Sequence, residues 1–258
     1  MTLFQVDAFT NSLFKGNPAA VVPLKKWISE DLMQSIAEEN NLSETVFFVE
    51  NNKQFDIRWF TPTCEIDLCG HATLAAAHII YSELNFDEKI IEFNSKSGVL
   101  SVEKKKNWYT LNFPAEEIEE VESPKILKKA LNVPVLKAFK GKWKLLVLLE
   151  NETTVQKLTP NFSLLSELES PGIIVTSKGN SVDFVSRFFA PKIGINEDPV
   201  TGSAHTLLIP FWAKILNKTT LEAMQLSKRT GFLNCEYLND RVEMSGQAIT
   251  FLKGQLNI

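Results

Sequence analysis

The chain of 258 residues lacks several features that assign a protein to a familiar class. It has only three cysteines, Cys64, Cys69 and Cys235, and their odd number and spacing do not suggest a disulfide scaffold, so we expect free thiols. The glycines in its motifs are isolated from one another, so no phosphate-binding loop is present and no nucleotide cofactor is indicated.

The chain also lacks a long apolar run and a basic surface pattern. No stretch approaches the length of a membrane span, and residues 1–7 predict a strand rather than a signal peptide, so we expect a cytoplasmic protein with no membrane partner. The net charge is −4, and the basic run at 104–106 is offset by acidic residues between 116 and 122. Nucleic acid is therefore not an expected partner.

One pattern occurs twice along the chain. Arg58-Trp59-Phe60-Thr61-Pro62 precedes Cys69-Gly70-His71-Ala72-Thr73, and Arg187-Phe188-Phe189-Ala190-Pro191 precedes Thr201-Gly202-Ser203-Ala204-His205. Each copy predicts a strand, a polar connection, a glycine turn and a helix, whose first N–H groups have no partner within the helix. We interpret the copies as two facing half-sites that hold an anion.

The periodicity predicts a strand-rich α/β (α+β) chain in two halves. Segments 72–84 and 204–216 are apolar on nearly every face, which predicts a central helix wrapped by sheet in each half. Pro210 predicts a kink or a later start for the second helix. The polar passage 116–124 is the best boundary, so the predicted domains are 1–115 and 116–258.

A predicted helix leads into a predicted buried strand around Glu44. Ser29 is a candidate N-cap for a helix that ends near Asn40 and Asn41, and 46–49 has the pattern of a buried strand. Glu44 therefore lies where a helix end meets a strand start, a common position for functional side chains.

Five motifs together resemble the PhzF-like (phenazine biosynthesis-like) isomerase family. They occur in the expected order over nearly the whole chain: Gly16-Asn17-Pro18-Ala19-Ala20-Val21-Val22, Leu42-Ser43-Glu44-Thr45, Asp67-Leu68-Cys69-Gly70-His71-Ala72-Thr73, Glu197-Asp198-Pro199-Val200-Thr201-Gly202-Ser203-Ala204-His205 and Gly246-Gln247-Ala248. The resemblance implies the diaminopimelate-epimerase-like fold, with two pseudo-symmetric halves, each a curled β-sheet around a central helix, and an active site between them. It also implies a homodimer with a biosynthetic role.

The reaction that the resemblance implies is proton transfer at carbon in a small amino- or hydroxy-carboxylic acid, without metal or cofactor. The family pattern makes Glu44 the general acid/base and gives catalytic roles to His71 and Asp198, which would contact polar groups of the substrate. Gly70, His71, Gly202 and Ser203 would hold the carboxylate, while Asp198 and His71 would contact the neighbouring amino or hydroxyl group. Without the resemblance, Glu44 could be a solvated loop carboxylate, Asp198 a turn residue and Ser203 a helix cap.

Cys69 stands where the epimerases of this fold have a catalytic cysteine. Epimerases of this fold use one cysteine from each half as an acid/base pair, but the repeat places Thr201 opposite Cys69. The broken pair puts a two-base racemase in doubt and leaves both residues as possible site members only. A thiol at a helix start is expected to have a lowered pKa and hence to react with alkylating agents.

Other chemistries fit the sequence less well. Glu65, Asp67, Cys69 and His71 alternate as on one strand face, but Gly70 interrupts the strand and no second ligand cluster exists, so no metal is expected. A hydrolase using Cys69 and His205 lacks an orienting third group. His205 is expected to support the site or the core, and His78 to be a core histidine. A racemase, a dehydratase and a catalytically silent binding relative remain alternatives.

Overall fold

The computed structural model describes every residue from Met1 to Ile258. Eighteen strands are present: β1 Thr2–Ala8, β2 Asn17–Leu24, β3 Glu44–Asn51, β4 Gln54–Phe60, β5 Glu65–Ile66, β6 Ile90–Ser95, β7 Gly98–Lys105, β8 Trp108–Pro114, β9 Glu119–Val121, β10 Lys137–Lys140, β11 Lys144–Leu148, β12 Gly172–Lys178, β13 Phe184–Ala190, β14 Ile195–Asp198, β15 Thr220–Gln225, β16 Gly231–Tyr237, β17 Arg241–Gly246 and β18 Ala248–Gln255. Six α-helices join them: α1 Glu30–Asn40, α2 Gly70–Glu83, α3 Lys125–Leu131, α4 Glu152–Lys157, α5 Phe162–Ser166 and α6 Gly202–Leu216. None of the helices has both the length and the apolar character needed to cross a membrane.

The first compact unit comprises residues 1–112 and 245–258. Its sheet runs in the order β18, β1, β2, β3, β4, β6, β7 and β8, and β5 pairs separately with β4. The pairings β2–β3 and β4–β6 are parallel, and the others are antiparallel. The apolar α2 packs against β1, β2, β3 and β18 and is buried along most of its length, as expected for a helix inside a curled sheet.

The second compact unit comprises residues 113–244. Its pairings run β9, β10, β11, β12, β13, β15 and β16, and β14 adds to β13. Here β11–β12 and β13–β15 are the parallel pairs. The apolar α6 packs against β11, β15 and β16, while α3, α4 and α5 contribute to a separate core of buried leucine, valine and isoleucine side chains.

The two units repeat one strand pattern. In each unit, two parallel strands joined by helix, β2 and β3 or β11 and β12, are followed by an antiparallel strand, β4 or β13. A short strand and the buried central helix come next. The strand after that helix, β6 or β15, pairs in parallel with β4 or β13. The element order therefore reproduces the repeat seen in the sequence.

The pairing registers identify corresponding positions in the repeat. Thr45 pairs with Phe60 in the first unit, and Ile173 pairs with Phe189 in the second, at equivalent places in the two Arg-aromatic motifs. Gly172, the residue that starts β12, consequently corresponds to the residue that starts β3, Glu44.

Pro210 does not mark the start of its helix. The helix α6 is continuous from Gly202 to Leu216 with Pro210 inside it, so the expectation of a later start is wrong. Proline has no N–H to bond the carbonyl four residues earlier, which belongs to Thr206. That carbonyl instead accepts from the backbone N–H of Glu116 at 3.0 Å, so the interruption leaves no unpaired acceptor.

The predicted division at 115 needs correction at the C-terminus. The second unit ends at Met244, and residues 245–258, which we predicted in the second half, belong to the first unit. The physical reason is the return strand β18, which pairs antiparallel with β1 from Ala8–Ala248 to Thr2–Gln255. The first break lies between Asn112 and Phe113.

Candidate active site

In the first unit, Glu44 meets the start of the central helix. It is the first residue of β3, only 8% exposed, and it follows the turn in which Asn41 ends α1 in the left-handed conformation. Its Oε2 lies 3.0 Å from Nε2 of His71. These residues are 27 positions apart in the sequence, and the fold brings them together so that a buried carboxylate faces a buried imidazole.

The imidazole of His71 has a partner on each side. Its Nε2 faces Glu44, and its Nδ1 lies 3.2 Å from Nδ2 of Asn17 and 3.5 Å from Sγ of Cys69. An amide nitrogen only donates, so in the neutral ring Nδ1 accepts from Asn17 and the proton lies on Nε2, towards the carboxylate. We call Glu44, Cys69, Gly70 and His71 the first-unit site.

The electrostatics of the first-unit site differ from the sequence expectation. Burial alone would lower the pKa of His71, but the neighbouring Cys69 and Glu44 outweigh it and raise the pKa well above 6.5. Burial, helped by the charge of Glu44, raises the pKa of Cys69 to about 11, so the expected lowering at the helix start is wrong. Because the thiol stays protonated near neutral pH, the carboxylate is the group that stabilises a charged His71.

The start of α2 presents backbone donors in the first-unit site. The first bond within the helix runs from the N–H of Thr73 to the carbonyl of Cys69 at 3.1 Å, so the N–H groups of Gly70 and His71 precede the helical ladder. No acidic side chain lies in the first turn, and Cys69 makes no side-chain cap. The positive end of the helix dipole is therefore not neutralised from within α2.

In the second unit, Asp198 is held by a buried network. It is the last residue of β14, and Oδ2 accepts from Oγ1 of Thr201 at 2.5 Å. The fully buried side chain of Gln225 accepts from the N–H of Thr201 at 2.9 Å and donates to the carbonyl of Asp198 at 2.8 Å. Thr201 and Gln225 thus fix the position of Asp198.

The start of α6 is anchored by a buried lysine. Gly202 begins the helix, and the backbone carbonyl of Ser203 accepts from Nζ of Lys144 at 2.6 Å. Lys144 is also paired with Glu116 at 2.9 Å, and burial lowers its pKa despite that partner. We call Asp198, Thr201, Gly202 and Ser203 the second-unit site.

The two remaining histidines have structural partners. His205 is fully buried, its Nδ1 donates to the carbonyl of Thr201 at 2.8 Å, and burial lowers its pKa to about 4. His78 lies 3.0 Å from both the Tyr109 hydroxyl and Oγ1 of Thr250, and burial lowers its pKa to about 4 as well. His205 therefore supports the second-unit site.

The strand-face cluster that the sequence suggested as a metal site is not formed. Glu65 instead binds Arg58 at 2.7 Å and Lys96, and the hydrogen bonds from Arg58 lower its pKa to about 2. Asp67 is exposed. The imidazole beside Cys69 is that of His71 rather than His205.

Sequence reasoning missed Asn17, Lys144 and Gln225 as parts of these sites. Asn17 belongs to a quoted motif, but its contact with His71 spans 54 positions, and Gln225 lies 24 positions after Thr201. Local patterns carry no signal for such contacts. A lysine that starts an otherwise apolar strand, as Lys144 does, is a signal that could have been used.

Comparison with known proteins gives consistent matches over the whole chain. The family model described as phenazine biosynthesis-like protein matches residues 6–254. A curated relative from Pseudomonas aeruginosa, named an uncharacterized isomerase, is 47% identical over 254 residues, covering 98% of this chain and 97% of the relative. The crystal structure of a PhzF-family phenazine biosynthesis protein from Enterococcus faecalis is 49% identical with a TM-score of 0.98, covering 100% of this chain and 99% of that one. A predicted epimerase from Pseudomonas aeruginosa, 16% identical, has a TM-score of 0.75 with coverage of 100% and 99%, which shows the fold alone.

The fold and these relatives define the class as an isomerase with an α/β fold of the epimerase kind. The chain belongs to the phenazine biosynthesis-like, or PhzF-like, family. The family resemblance, the fold class and the assignment as an enzyme are confirmed, while the roles of individual site residues stay predictions.

Proposed function

We propose that the protein is a cofactor-independent isomerase that moves a proton at carbon in a small amino- or hydroxy-carboxylic acid. The observation that carries the proposal is the buried carboxylate of Glu44, 3.0 Å from Nε2 of His71 and next to the start of α2. A carbon acid is weak, so such a reaction needs a positioned base and a means of stabilising the negative charge that develops.

Glu44 is the general acid/base in this mechanism. Its carboxylate takes the proton from the substrate carbon and later returns it to another carbon of the same molecule. His71, with its raised pKa, can carry a positive charge beside the carboxylate or donate from Nε2 to a substrate oxygen. Asn17 supports this by holding Nδ1 at 3.2 Å, which keeps the ring oriented.

Each helix start is suited to hold a carboxylate of the substrate. The N–H groups of Gly70 and His71 belong to the first turn of α2, and those of Gly202 and Ser203 to the first turn of α6. Donors at a helix start, together with the dipole, favour a carboxylate and the charge that spreads onto it during proton abstraction. Asp198 accepts a hydrogen bond from the amino or hydroxyl group beside that carboxylate.

The repeat argues against a two-base racemase. Gly172 occupies the position that corresponds to Glu44, and Thr201 the position that corresponds to Cys69. Neither residue can serve as a base near neutral pH, and the raised pKa of Cys69 makes its thiol a poor one. A reaction with Glu44 as its single base fits these residues best.

The oligomeric state and the biological role are proposed from the family likeness. We propose a homodimer with a biosynthetic role, in keeping with the name of the matching family. Light scattering after gel filtration would give a molar mass near twice 29.1 kDa for a dimer, and a mass near 29.1 kDa would contradict it.

Deuterium incorporation tests the reaction. The protein is incubated in deuterated water with a pool of small amino-, hydroxy- and cyclic carboxylic acids, and mass spectrometry follows label that enters beside a carboxylate. We expect label with the unchanged protein and at least a roughly thousandfold lower rate with Glu44→Gln, because the variant keeps the shape of the side chain but lacks the base.

The matched control is Glu50→Gln, which removes a carboxylate at the exposed end of the same strand, β3, and should leave the rate unchanged. Circular dichroism checks that both variants are folded. Equal rates for Glu44→Gln and the unchanged protein would overturn the role of Glu44. No label from a pool that contains a compound shown separately to bind would favour a catalytically silent binding protein.

A further inference from the structure

Three different ligand types converge in the first-unit site. One ligand atom from each of Glu44, Cys69 and His71 lies within 4.8 Å of the other two, and all three residues are buried. A carboxylate, an imidazole and a thiol form one of the donor sets that proteins use for Zn²⁺ and other thiophilic divalent cations.

Two buried polar atoms at the centre of this cluster have no hydrogen-bond partner. They are Oε2 of Glu44 and Nε2 of His71, which approach to 3.0 Å without the alignment of a hydrogen bond. The two side chains are about nine-tenths or more buried, so water does not readily satisfy these atoms. A cation that displaces the proton from Nε2 of His71 would bind both atoms.

The existing separations are close to those of a tetrahedral site. With Zn–S of about 2.3 Å and Zn–N and Zn–O of about 2.0 Å, tetrahedral ligands lie roughly 3.3 to 3.6 Å apart. Sγ of Cys69 and Nδ1 of His71 are 3.5 Å apart, and Nε2 of His71 and Oε2 of Glu44 are 3.0 Å apart. Only one nitrogen of an imidazole binds a given metal ion. If Nδ1 binds, His71 and Cys69 are already near the required separation and Glu44 moves in. If Nε2 binds, His71 and Glu44 are near it and Cys69 moves in.

We propose that Glu44, Cys69 and His71 bind a thiophilic divalent cation, with Zn²⁺ as the physiological candidate, and that the bound ion blocks the proton-transfer site. The sequence alone predicted no metal, because Gly70 interrupts the strand face and no second ligand cluster was recognised; Glu44, 25 positions before Cys69, was not among the ligands considered. The ion occupies the lone pairs of Glu44 that the proposed reaction needs. The binding itself does not depend on the proposed function, and only the block does.

Cobalt titration tests the site directly, because Co²⁺ replaces Zn²⁺ and a thiolate bound to it absorbs strongly in the near ultraviolet. Tag-free Cys64→Ser protein removes the exposed thiol that could bind metal on the surface. We expect one Co²⁺ per chain, an intense thiolate band and its loss when Zn²⁺ is added. Cys69→Thr, which copies the corresponding Thr201, should abolish the band, whereas Cys235→Ala should keep it.

Each result decides the proposal. Absence of the band in the Cys64→Ser protein, or its persistence after Cys69→Thr, would overturn the site. If Cys69→Thr does not fold, Glu44→Gln replaces it: affinity for Co²⁺ should fall by about tenfold or more, and unchanged affinity would contradict the three-ligand arrangement.

The block is tested separately by label incorporation. Zn²⁺ at a concentration that displaces Co²⁺ should stop exchange, and a chelator should restore it. Undiminished exchange would show that metal and substrate do not compete for Glu44. If the protein shows no exchange at all, the proposed function fails while the cobalt titration still decides the metal site.

Discussion

A single buried histidine should make the stability of the second unit sensitive to acid. His205 donates to the carbonyl of Thr201, and burial lowers its pKa to about 4 from an ordinary 6.5. As the pH falls from 6.5 towards 4, His205 becomes protonated in the unfolded chain but stays neutral in the folded protein. The free energy of unfolding therefore falls across this window, by about 2 kcal/mol at pH 5 for this residue.

The variant His205→Gln tests this dependence, because its amide can still donate to Thr201 but does not titrate. We expect the loss of stability between pH 7 and pH 5, measured by urea unfolding, to be about 2 kcal/mol smaller in the variant. His78, whose pKa is also lowered to about 4, adds the same sign of dependence to both proteins and cancels in the comparison. An identical pH dependence in both would refute the assignment.

At the scale of strands, both units use an arginine–glutamate pair to hold a short strand. Arg187 on β13 binds Glu197 on β14 through Nε at 2.6 Å and Nη2 at 3.0 Å, and Nη1 donates to the carbonyls of Val155 and Leu158. Arg58 makes the corresponding pair with Glu65 on β5, but Glu65 also binds Lys96.

The difference between these pairs predicts unequal costs of losing the arginine. Arg187→Met leaves Glu197 and the buried carbonyl of Leu158 without their partner, while the carbonyl of Val155 still accepts from the N–H of Leu158, and we expect a loss of about 3 kcal/mol in the free energy of unfolding. Arg58→Met leaves Glu65 bound to Lys96, so a loss of about 1 kcal/mol is expected. Urea unfolding of the two variants checks this, and equal losses would contradict it.

The elements that could be predicted from sequence are those formed by local interactions. Helix α1 begins where expected because the Ser29 hydroxyl accepts from the N–H of Leu32, three positions away. The two central helices were predicted because their apolar residues are continuous. Short helices such as α4 and the proline-containing strand β2 carry too little periodicity to be recognised.

The candidate site was only partly predictable for the same reason. The family motifs named Glu44 and His71, but their 3.0 Å approach depends on β3 lying beside the start of α2. The pKa of Cys69 was predicted with the wrong sign because the sequence shows the helix start and not the burial, which dominates. Gln225 was missed because its contact with Thr201 exists only in the folded chain.

At the scale of the whole molecule, one repeated architecture carries different chemistry in its two units. A side chain at Gly172 would place its Cβ 2.7 Å from the ring of Trp143 and 3.0 Å from Cγ of Lys144. The side chains of Trp143 and Lys144 thus fill, in the second unit, the space that corresponds to the Glu44 side chain in the first. Lys144 instead anchors α6. Only the first unit retains an acid/base side chain at this position.

The return of the chain to its first unit gives a prediction about which unit depends on the C-terminus. Deleting residues 248–258 removes β18, so β1 loses one of its two antiparallel partners and becomes an exposed edge, paired only with β2. We expect amide hydrogen exchange in β1 and β2 to accelerate by about tenfold or more, while β12 and β13 keep their protection. Deletion of Asn257 and Ile258 alone, beyond the strand, is the control. Equal acceleration in both units would show that they unfold together rather than as separate compact units.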